Sequence, residues 1–353
     1  MPLLIWAFLG ASPSAAGLYL PAEPMIGPRI DTTRVTPLPW GQLRSILADL
    51  EAIANPLSGS PERKRYLAAV ERLKSSGSFQ DAVDLGGYLI RLRRDEEAIT
   101  ILSAAIKRDR RNFMLYANLG TAYQRVGDLE RAASALQDAL ENWPEHYPGW
   151  TPAQLSWYRR AERYQLRLIL GRRRAGPRDR TLELDALFGP ISDPVRYLAA
   201  DGRYSAGTLA GAEQSKFGAD GLKLPEAMAI VQQLLLWLPD DMRLRWQLAE
   251  LLNAAGDITS ASAVFDSFWS RNYTAPDLLS HRRIVREAVA KIRRDSSSAA
   301  GPSDEAMPNP VEQPATTRWP EVHRLALVGI ACAAVVLALA YLQLREIRRR
   351  RRG

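Results

Sequence analysis

The sequence predicts an all-α fold, an α-solenoid of helical hairpins followed by one C-terminal transmembrane helix. Three observations lead to this prediction: an apolar pattern that recurs every 34 residues, helix start signals that separate the recurrences, and twenty uncharged residues from Leu325 to Leu344. The chain of 353 residues is 46% hydrophobic and 24% charged, which is the composition of a folded protein. A wholly disordered chain is therefore excluded.

The chain opens with a short apolar run, Leu3 to Leu9. Small residues follow it and suit cleavage before Gly17, so residues 1–16 are interpreted as a signal peptide. The run has no Lys or Arg before it, and the alternative is an apolar strand packed on the domain.

Residues 17–78 are predicted to hold an extended N-terminal segment and two capping helices. The five prolines from Pro21 to Pro39 favour extended backbone. The helices are predicted at about Trp40 to Ala54 and about Ser60 to Ser75, and the second begins with the start signal Ser-Pro-Glu.

A pattern of 34 residues is clearest in residues 113–146. The first predicted helix carries large apolar residues and one glycine, and a second glycine lies in the turn after it. The second helix carries small and apolar residues. The matching positions are Tyr116, Leu119, Gly120, Tyr123, Gly127, Ala132, Leu136, Ala139 and Pro144. This series resembles the tetratricopeptide repeat, whose helical hairpins stack into a solenoid. The resemblance implies an inner groove lined mainly by the first helix of each hairpin.

Two further copies of the pattern are recognisable. The copy at Phe79 to Asn112 has Arg93 in place of the turn glycine and Arg110 in place of the closing proline. The copy at Met242 to Ala275 keeps the turn glycine, Gly256, but lacks the proline. Residues 79–146 are therefore predicted to be one repeat block.

Residues 147–223 and 224–294 complete the predicted domain. The first range connects the blocks by a helix from Thr151 to about Leu170, a solvated arginine-rich loop after it, and a glycine-rich loop or small hairpin. The second range is a second block, with a helix at Pro225 to Asp240 and a terminal cap helix at about Pro276 to Arg294.

The C-terminal part of the chain predicts a membrane anchor. Residues 295–320 are rich in Pro, Ser and Ala and are interpreted as a flexible linker, and residues 323–344 as a transmembrane helix. The tail, residues 345–353, carries six Arg, so the positive-inside rule predicts a single-pass cell membrane protein with a cytoplasmic tail and a periplasmic N-terminal domain. A buried core helix is the alternative for the apolar segment.

Composition excludes several kinds of chemistry. The net charge is +8, but the tail contributes +5 of it, so no broad basic surface favours nucleic acid. One cysteine and three scattered histidines provide no metal-binding motif, and no cofactor is predicted. An enzyme is not expected, because the only candidate carboxylates, those of Asp193, Asp201 and Glu213, follow no catalytic spacing.

The resemblance implies that the chain binds other proteins through its groove and does not catalyse. The groove positions carried over are Val83, Gly87, Arg91, Ala117, Thr121, Gln124, Arg125, Trp246, Glu250 and Asn253. Val83, Ala117 and Trp246 stand where some family members use Lys to bind a C-terminal carboxylate, so that mode of binding is not expected. Arg and Trp dominate binding hot spots, although packing roles for Arg91, Arg125 and Trp246 remain open.

A second function remains open, that of a cell-wall or carbohydrate-associated accessory subunit of an envelope enzyme complex. It depends on four aromatic residues close together in the sequence, which are Trp143, Trp150, Trp157 and Tyr158. The alternative for these side chains is that they pack at a helix boundary.

Overall fold

The computed structural model describes residues 18–20, 27–31, 34–76, 78–175, 183–188, 197–198, 202–207, 221–268 and 275–299. These residues form eleven α-helices and one short β-hairpin, so the predicted all-α class is confirmed. The chain divides into two units, Met1–Ser298 and Ala299–Gly353, and the helical domain described below is the first of them.

The N-terminal part of the domain begins with the hairpin. Strands β1 (Arg29–Ile30) and β2 (Val35–Thr36) pair antiparallel within the proline-rich segment. Helices α1 (Trp40–Ala54) and α2 (Pro61–Lys74) follow where they were predicted. The hydroxyl of Ser60 accepts a hydrogen bond from the backbone N–H of Arg63 at 3.2 Å, which caps α2 as the sequence signal indicated.

Helices α3 to α6, which we call the first block, form the two predicted consecutive hairpins. They are α3 (Phe79–Arg91), α4 (Asp95–Ile106), α5 (Phe113–Arg125) and α6 (Leu129–Glu141). The side chains of Ser78, Asn112 and Asp128 cap α3, α5 and α6. Each accepts a hydrogen bond from the backbone N–H of the residue three positions later. The predicted repeat of two consecutive helical hairpins is therefore confirmed in this block.

Small residues allow the two helices of each hairpin to approach closely. A Cβ at Gly86 would lie 2.5 Å from Cδ2 of Leu102, and one at Gly120 would lie 2.7 Å from Cδ2 of Leu136. The turns repeat as well, because Gly127 and Gly256 have φ of 85° and 83° and Arg93 has φ of 64° at the corresponding position. Arg93 thus keeps the left-handed turn although a side chain disfavours it.

Helix α7 (Pro152–Ala175) is longer than predicted. Its start is capped by Thr151, whose hydroxyl accepts from the backbone N–H of Gln154 at 3.2 Å. The prediction of a solvated loop from Arg172 is wrong, because the helix continues through Arg172–Arg174. Ion pairs of Arg172 with Asp185 and Asp241 stabilise this last turn.

The second block consists of α8 (Leu224–Trp237), α9 (Met242–Ala254), α10 (Ile258–Asp266) and α11 (Pro276–Ala299). Helices α9 and α10 form the third predicted hairpin. Helix α11 continues to Ala299, so the predicted boundary between cap helix and linker at residue 295 is corrected. Most buried apolar side chains form one connected core from Leu18 to Val285, and a smaller separate cluster consists of Ala132, Ala133, Leu136 and Ile169.

Several predicted segments lie outside the described residues. They are the signal peptide at 1–16, the transmembrane helix at 323–344, the tail at 345–353 and most of the linker. The described residues contain no helix with the length and apolar content that crossing a membrane requires.

Candidate functional site

The candidate site is the surface of α3, α5 and α7 that holds residues Leu18–Leu20. We call this surface the inner face and these three residues the strap. The strap side chains are 2%, 5% and 0% exposed, so the inner face encloses them almost completely. Each of the three helices contacts the strap.

Leu20 packs against α3 at Gly87. A Cβ at residue 87 would lie 2.6 Å from Cδ2 of Leu20, closer than such atoms approach in proteins. The glycine therefore provides the space that the leucine side chain fills.

Tyr19 is bound by polar groups of α5 and α7. Its backbone N–H donates a long hydrogen bond of 3.4 Å to Oδ1 of Asn118, and its hydroxyl donates to Oε1 of Glu162 at 2.7 Å. Its ring lies within 6.4 Å, between ring centroids, of the aromatic rings of Phe113, Trp143, Trp150 and Tyr158. The inner face thus combines an aromatic box with an acceptor for the phenol hydroxyl.

Burial governs the electrostatics of the Tyr19 and Glu162 pair. It raises the pKa of the Glu162 carboxyl to about 7, and the hydrogen bond from Tyr19 lowers that pKa in part. Burial and the charge of Glu162 raise the pKa of the Tyr19 hydroxyl well above its usual value, so the phenol stays protonated and acts as donor. Oε2 of Glu162 has no hydrogen-bond partner among the described residues.

The first-block residues predicted to line a groove are buried within the chain itself. Val83, Gly87 and Ala117 belong to the core, and the polar residues Thr121 and Gln124 are 3% and 8% exposed. Nε2 of Gln165, on α7, donates to the hydroxyl of Thr121 at 3.1 Å and to Oε1 of Gln124 at 2.9 Å. Thr121 and Gln124 therefore do not line an open groove, because α7 packs against them.

Arg91 and Arg125 contact other helices of the chain. Arg91 donates to the backbone carbonyl of Leu236 at 2.7 Å. Arg125 donates to Asp95 at 2.8 Å and lies 3.9 Å from Asp240. Both arginines therefore contribute to packing between the first block and the end of α8.

Arg172 and Arg245 bind the same α8–α9 turn. Arg172 forms two hydrogen bonds to the carboxylate of Asp241, at 2.5 and 2.9 Å, and two to Asp185. Arg245 donates to the carbonyl of Pro239. Burial lowers the pKa of the Arg172 guanidinium, but the charges of Asp185 and Asp241 outweigh burial and raise it.

We call Arg91, Arg125, Arg172 and Arg245 the arginine clamp.

The predicted groove residues of the second block are also buried. Trp246 is 3% exposed, and its Nε1 donates to Oε1 of Glu250 at 2.6 Å. The same carboxylate oxygen lies 2.7 Å from Nδ1 of His281, on α11. Asn253 accepts from the backbone N–H of Gly207 at 2.9 Å and donates to the carbonyl of Ser205 at 3.0 Å. A segment of the connecting region and α11 therefore cover this face.

The aromatic residues behind the carbohydrate-binding alternative are mostly buried. Trp143, Trp157 and Tyr158 are 9%, 3% and 2% exposed, and Trp150 is partly exposed. They pack at the start of α7 and around Tyr19, and so do not form an exposed platform on which a sugar ring could stack.

The sequence contains one signal for the α7 residues that contact the strap and the inner face. The buried stripe of α7 runs through Leu155, Tyr158, Glu162, Gln165 and Ile169. Two polar residues at core positions of an amphipathic helix need buried partners, and these partners are Tyr19 and the inner-face side chains.

Other chemistry finds little support among the described residues. No three His, Cys, Asp or Glu side chains in the described ranges lie close enough together to hold a metal ion. The carboxylates of Asp193, Asp201 and Glu213 lie outside those ranges. An open recess of about 460 Å³ between the hairpin, α7 and α8 is lined by charges of both signs, including the Arg160–Glu226 ion pair.

Comparison with known proteins identifies the repeat. The tetratricopeptide repeat family model matches residues 115–146, which form most of α5 and all of α6. A crystal structure of a tetratricopeptide repeat protein from Parabacteroides merdae ATCC 43184 is 16% identical, and the alignment covers 75% of this chain and 94% of that one, with a TM-score of 0.27. A similarity this low supports no conclusion about shape or partners. A search of curated proteins finds no match. The repeat match and the hairpins of the first block together show that the chain contains a tetratricopeptide repeat.

Proposed function

We propose that the chain is a non-catalytic scaffold that binds short segments of other proteins on the inner face of α3, α5 and α7. The observation that carries this proposal is the strap, because the inner face already holds a short bent piece of polypeptide by its backbone and side chains. Tetratricopeptide repeats commonly mediate protein–protein interaction, and the match at 115–146 includes most of α5, one of the three helices of this face.

A capture experiment tests the binding function. Full-length chain in detergent is compared with a variant in which Leu18, Tyr19 and Leu20 are all serine, which removes the strap side chains from the inner face. We expect the variant to capture protein from an envelope extract more strongly than the natural chain. Adding Asn118→Ala and Glu162→Gln to the variant should reduce that capture, whereas the exposed substitution Arg173→Ala should not. Equal capture by all four chains would contradict the proposal.

We also propose that residues 323–344 anchor the chain in the cell membrane, with the repeat domain outside the cytoplasm and the arginine-rich tail inside it. The support is the twenty-residue uncharged segment and the six Arg of the tail. Protease is added to cells from which the outer layers have been removed. It should digest the repeat domain and leave a tag on the tail intact. A domain protected until the cells are lysed would contradict this topology.

The accessory role at the cell wall has a direct test. Because most of its aromatic residues are buried, we expect the purified chain to remain in the supernatant when isolated cell wall is sedimented. Sedimentation with the wall that soluble sugar competes away would favour the accessory role over the scaffold.

A further inference from the structure

We propose that the strap is a displaceable occupant of the inner face, and that the natural partner presents a similar segment, a short bend with a tyrosine between two leucine-like residues. This inference rests on the proposed scaffold function and adds two things to it. It specifies the chemistry of the partner, and it makes access to the site depend on release of the chain's own residues.

The first recognition element is apolar. Leu18 and Leu20 are 2% and 0% exposed, and Leu20 occupies the space left by the missing side chain at Gly87. A charged residue at the Leu20 position would face α3 without a polar partner. A bulkier aromatic residue would not have room there. The face therefore favours an aliphatic side chain of about the size of leucine at this position.

The second element is specific for tyrosine. Four aromatic rings surround the Tyr19 ring, and Glu162 accepts the hydrogen bond from its hydroxyl at 2.7 Å. Phenylalanine would fill the box but leave a buried carboxylate without its donor. A phosphorylated tyrosine would bring negative charge to the same carboxylate, so the site selects the unmodified residue.

The third recognition element is a hydrogen bond to the backbone of the bound segment. Oδ1 of Asn118 accepts from the N–H of Tyr19 and so fixes the segment along α5. This contact does not depend on the identity of the bound residue. A segment from another protein could make it as well as the strap does.

Covalent attachment gives the strap an advantage over such a partner. A tethered segment competes at an effective concentration on the order of millimolar for a short connection. A free peptide that binds the vacant face with micromolar affinity would therefore bind the closed chain roughly a thousandfold more weakly. Release of the strap then acts as the switch that opens the site.

The test severs the tether and leaves the folded chain intact. A recognition sequence for a specific protease is inserted between Ala22 and Glu23 of the full-length chain in detergent. The probe is a fluorescein-labelled peptide with the sequence of residues 17–23, GLYLPAE. Its binding is followed by fluorescence anisotropy before cleavage and after cleavage and removal of the released fragment, and circular dichroism verifies that the helices remain.

We expect the cleaved chain to bind the probe at least tenfold more tightly than the uncleaved chain. A probe with phenylalanine in place of tyrosine should bind about fivefold more weakly than the natural probe, and one with aspartate in place of the second leucine should not bind. Failure of the cleaved, folded chain to bind the natural probe would overturn the inference, as would equal binding of all three probes.

Capture from an envelope extract separates this inference from the scaffold function. Protein captured by the cleaved chain and released by unlabelled GLYLPAE peptide supports both. Protein captured but not released by the peptide overturns the inference and leaves the scaffold function standing on another surface. If the cleaved chain binds the probe selectively but neither form of the chain captures protein, the scaffold function is contradicted. The strap then only fills the inner face of its own chain.

Discussion

The inner surfaces of α5 and α9 occupy equivalent repeat positions, yet they are closed in different ways. Gln124 of α5 accepts a hydrogen bond from a side chain of the following helix, Gln165 on α7. Asn253, at the corresponding position of α9, instead binds the backbone of Ser205 and Gly207. A regular helix covers one surface, and an irregular segment together with α11 covers the other.

The two surfaces also bury a glutamate each, with different surroundings. Glu162 faces the strap, which it contacts through the hydroxyl of Tyr19. Glu250 is contacted by Trp246 of its own helix and by His281 of α11. Because Glu250 is held by helices of the second block, we expect the α9 surface to be a structural core and the α5 surface to be the one that opens.

The largest expected effect comes from removing the tryptophan of the α9 surface. Trp246→Ala deletes a side chain that is 3% exposed and removes a donor from buried Glu250, so we expect a loss of about 4 kcal/mol in the free energy of unfolding. Urea unfolding followed by circular dichroism measures it. The control Leu57→Ala, at a side chain that is 92% exposed, should change the value by less than about 0.5 kcal/mol. A stable Trp246→Ala chain that loses only partner binding would show that α9 is the binding surface.

The arginine clamp provides the next test, because its Arg172 connects the last turn of α7 to the α8–α9 turn. Arg172→Met leaves the carboxylates of Asp185 and Asp241 without their main cation, and we expect a loss of about 3 kcal/mol. Arg173→Met, one residue further along α7 and exposed, is the matched control and should have little effect. Thermal melting of the two variants measures the difference. Equal melting temperatures would mean that the ion pairs contribute nothing to holding the turn.

Glu162→Gln tests the electrostatics of the inner face. The pKa of Glu162 is about 7 in the folded chain and is lower when the chain unfolds, so the folded state binds the proton more tightly. Its stabilising contribution is complete below the unfolded pKa and is lost as the pH rises through about 7. Between pH 5 and pH 8 the natural chain should therefore lose on the order of 2 kcal/mol that the Gln variant keeps. Urea titrations at both pH values measure this loss, with the exposed change Glu141→Gln as control, and identical pH profiles would refute the assignment.

The smallest effect concerns the turns, in which the two blocks are alike. Gly127→Ala and Gly256→Ala place a side chain at φ of 85° and 83°, and each should cost about 1 kcal/mol although no atom lies within 4 Å of the added Cβ. Gly171→Ala, which is helical and equally free of neighbours, should stabilise the chain by about 0.5 kcal/mol. Chemical denaturation of the three variants tests this order of stabilities. A destabilised Gly171→Ala would show that space, and not φ, decides the outcome.

Local sequence signals predicted the repeat helices well. The period of 34 residues depends on residues close together in the chain, and so the two hairpins formed by α3 to α6 followed from it. The continuation of α7 through Arg172 did not follow, because the partners of that arginine, Asp185 and Asp241, lie 13 and 69 residues away. Local charge alone favoured a loop there.

The candidate site was harder to predict for the same reason. The positions of Thr121 and Gln124 on the first helix of their hairpin were correct, but the sequence could not show that α7 covers them. The strap is 99 residues from Asn118 and 143 residues from Glu162, and a tripeptide has no periodicity to mark it. The polar residues in the buried stripe of α7 were the available clue.

The central claim is that Tyr19 binds Glu162 on the inner face, and a double-mutant cycle tests it most directly. The free energies of unfolding of the natural chain, Tyr19→Phe, Glu162→Gln and the double variant are measured at pH 8, where the carboxyl is charged. The account predicts a coupling energy of about 1.5 kcal/mol between the two positions. Additive effects, within about 0.4 kcal/mol, would show that the strap does not occupy the inner face in solution.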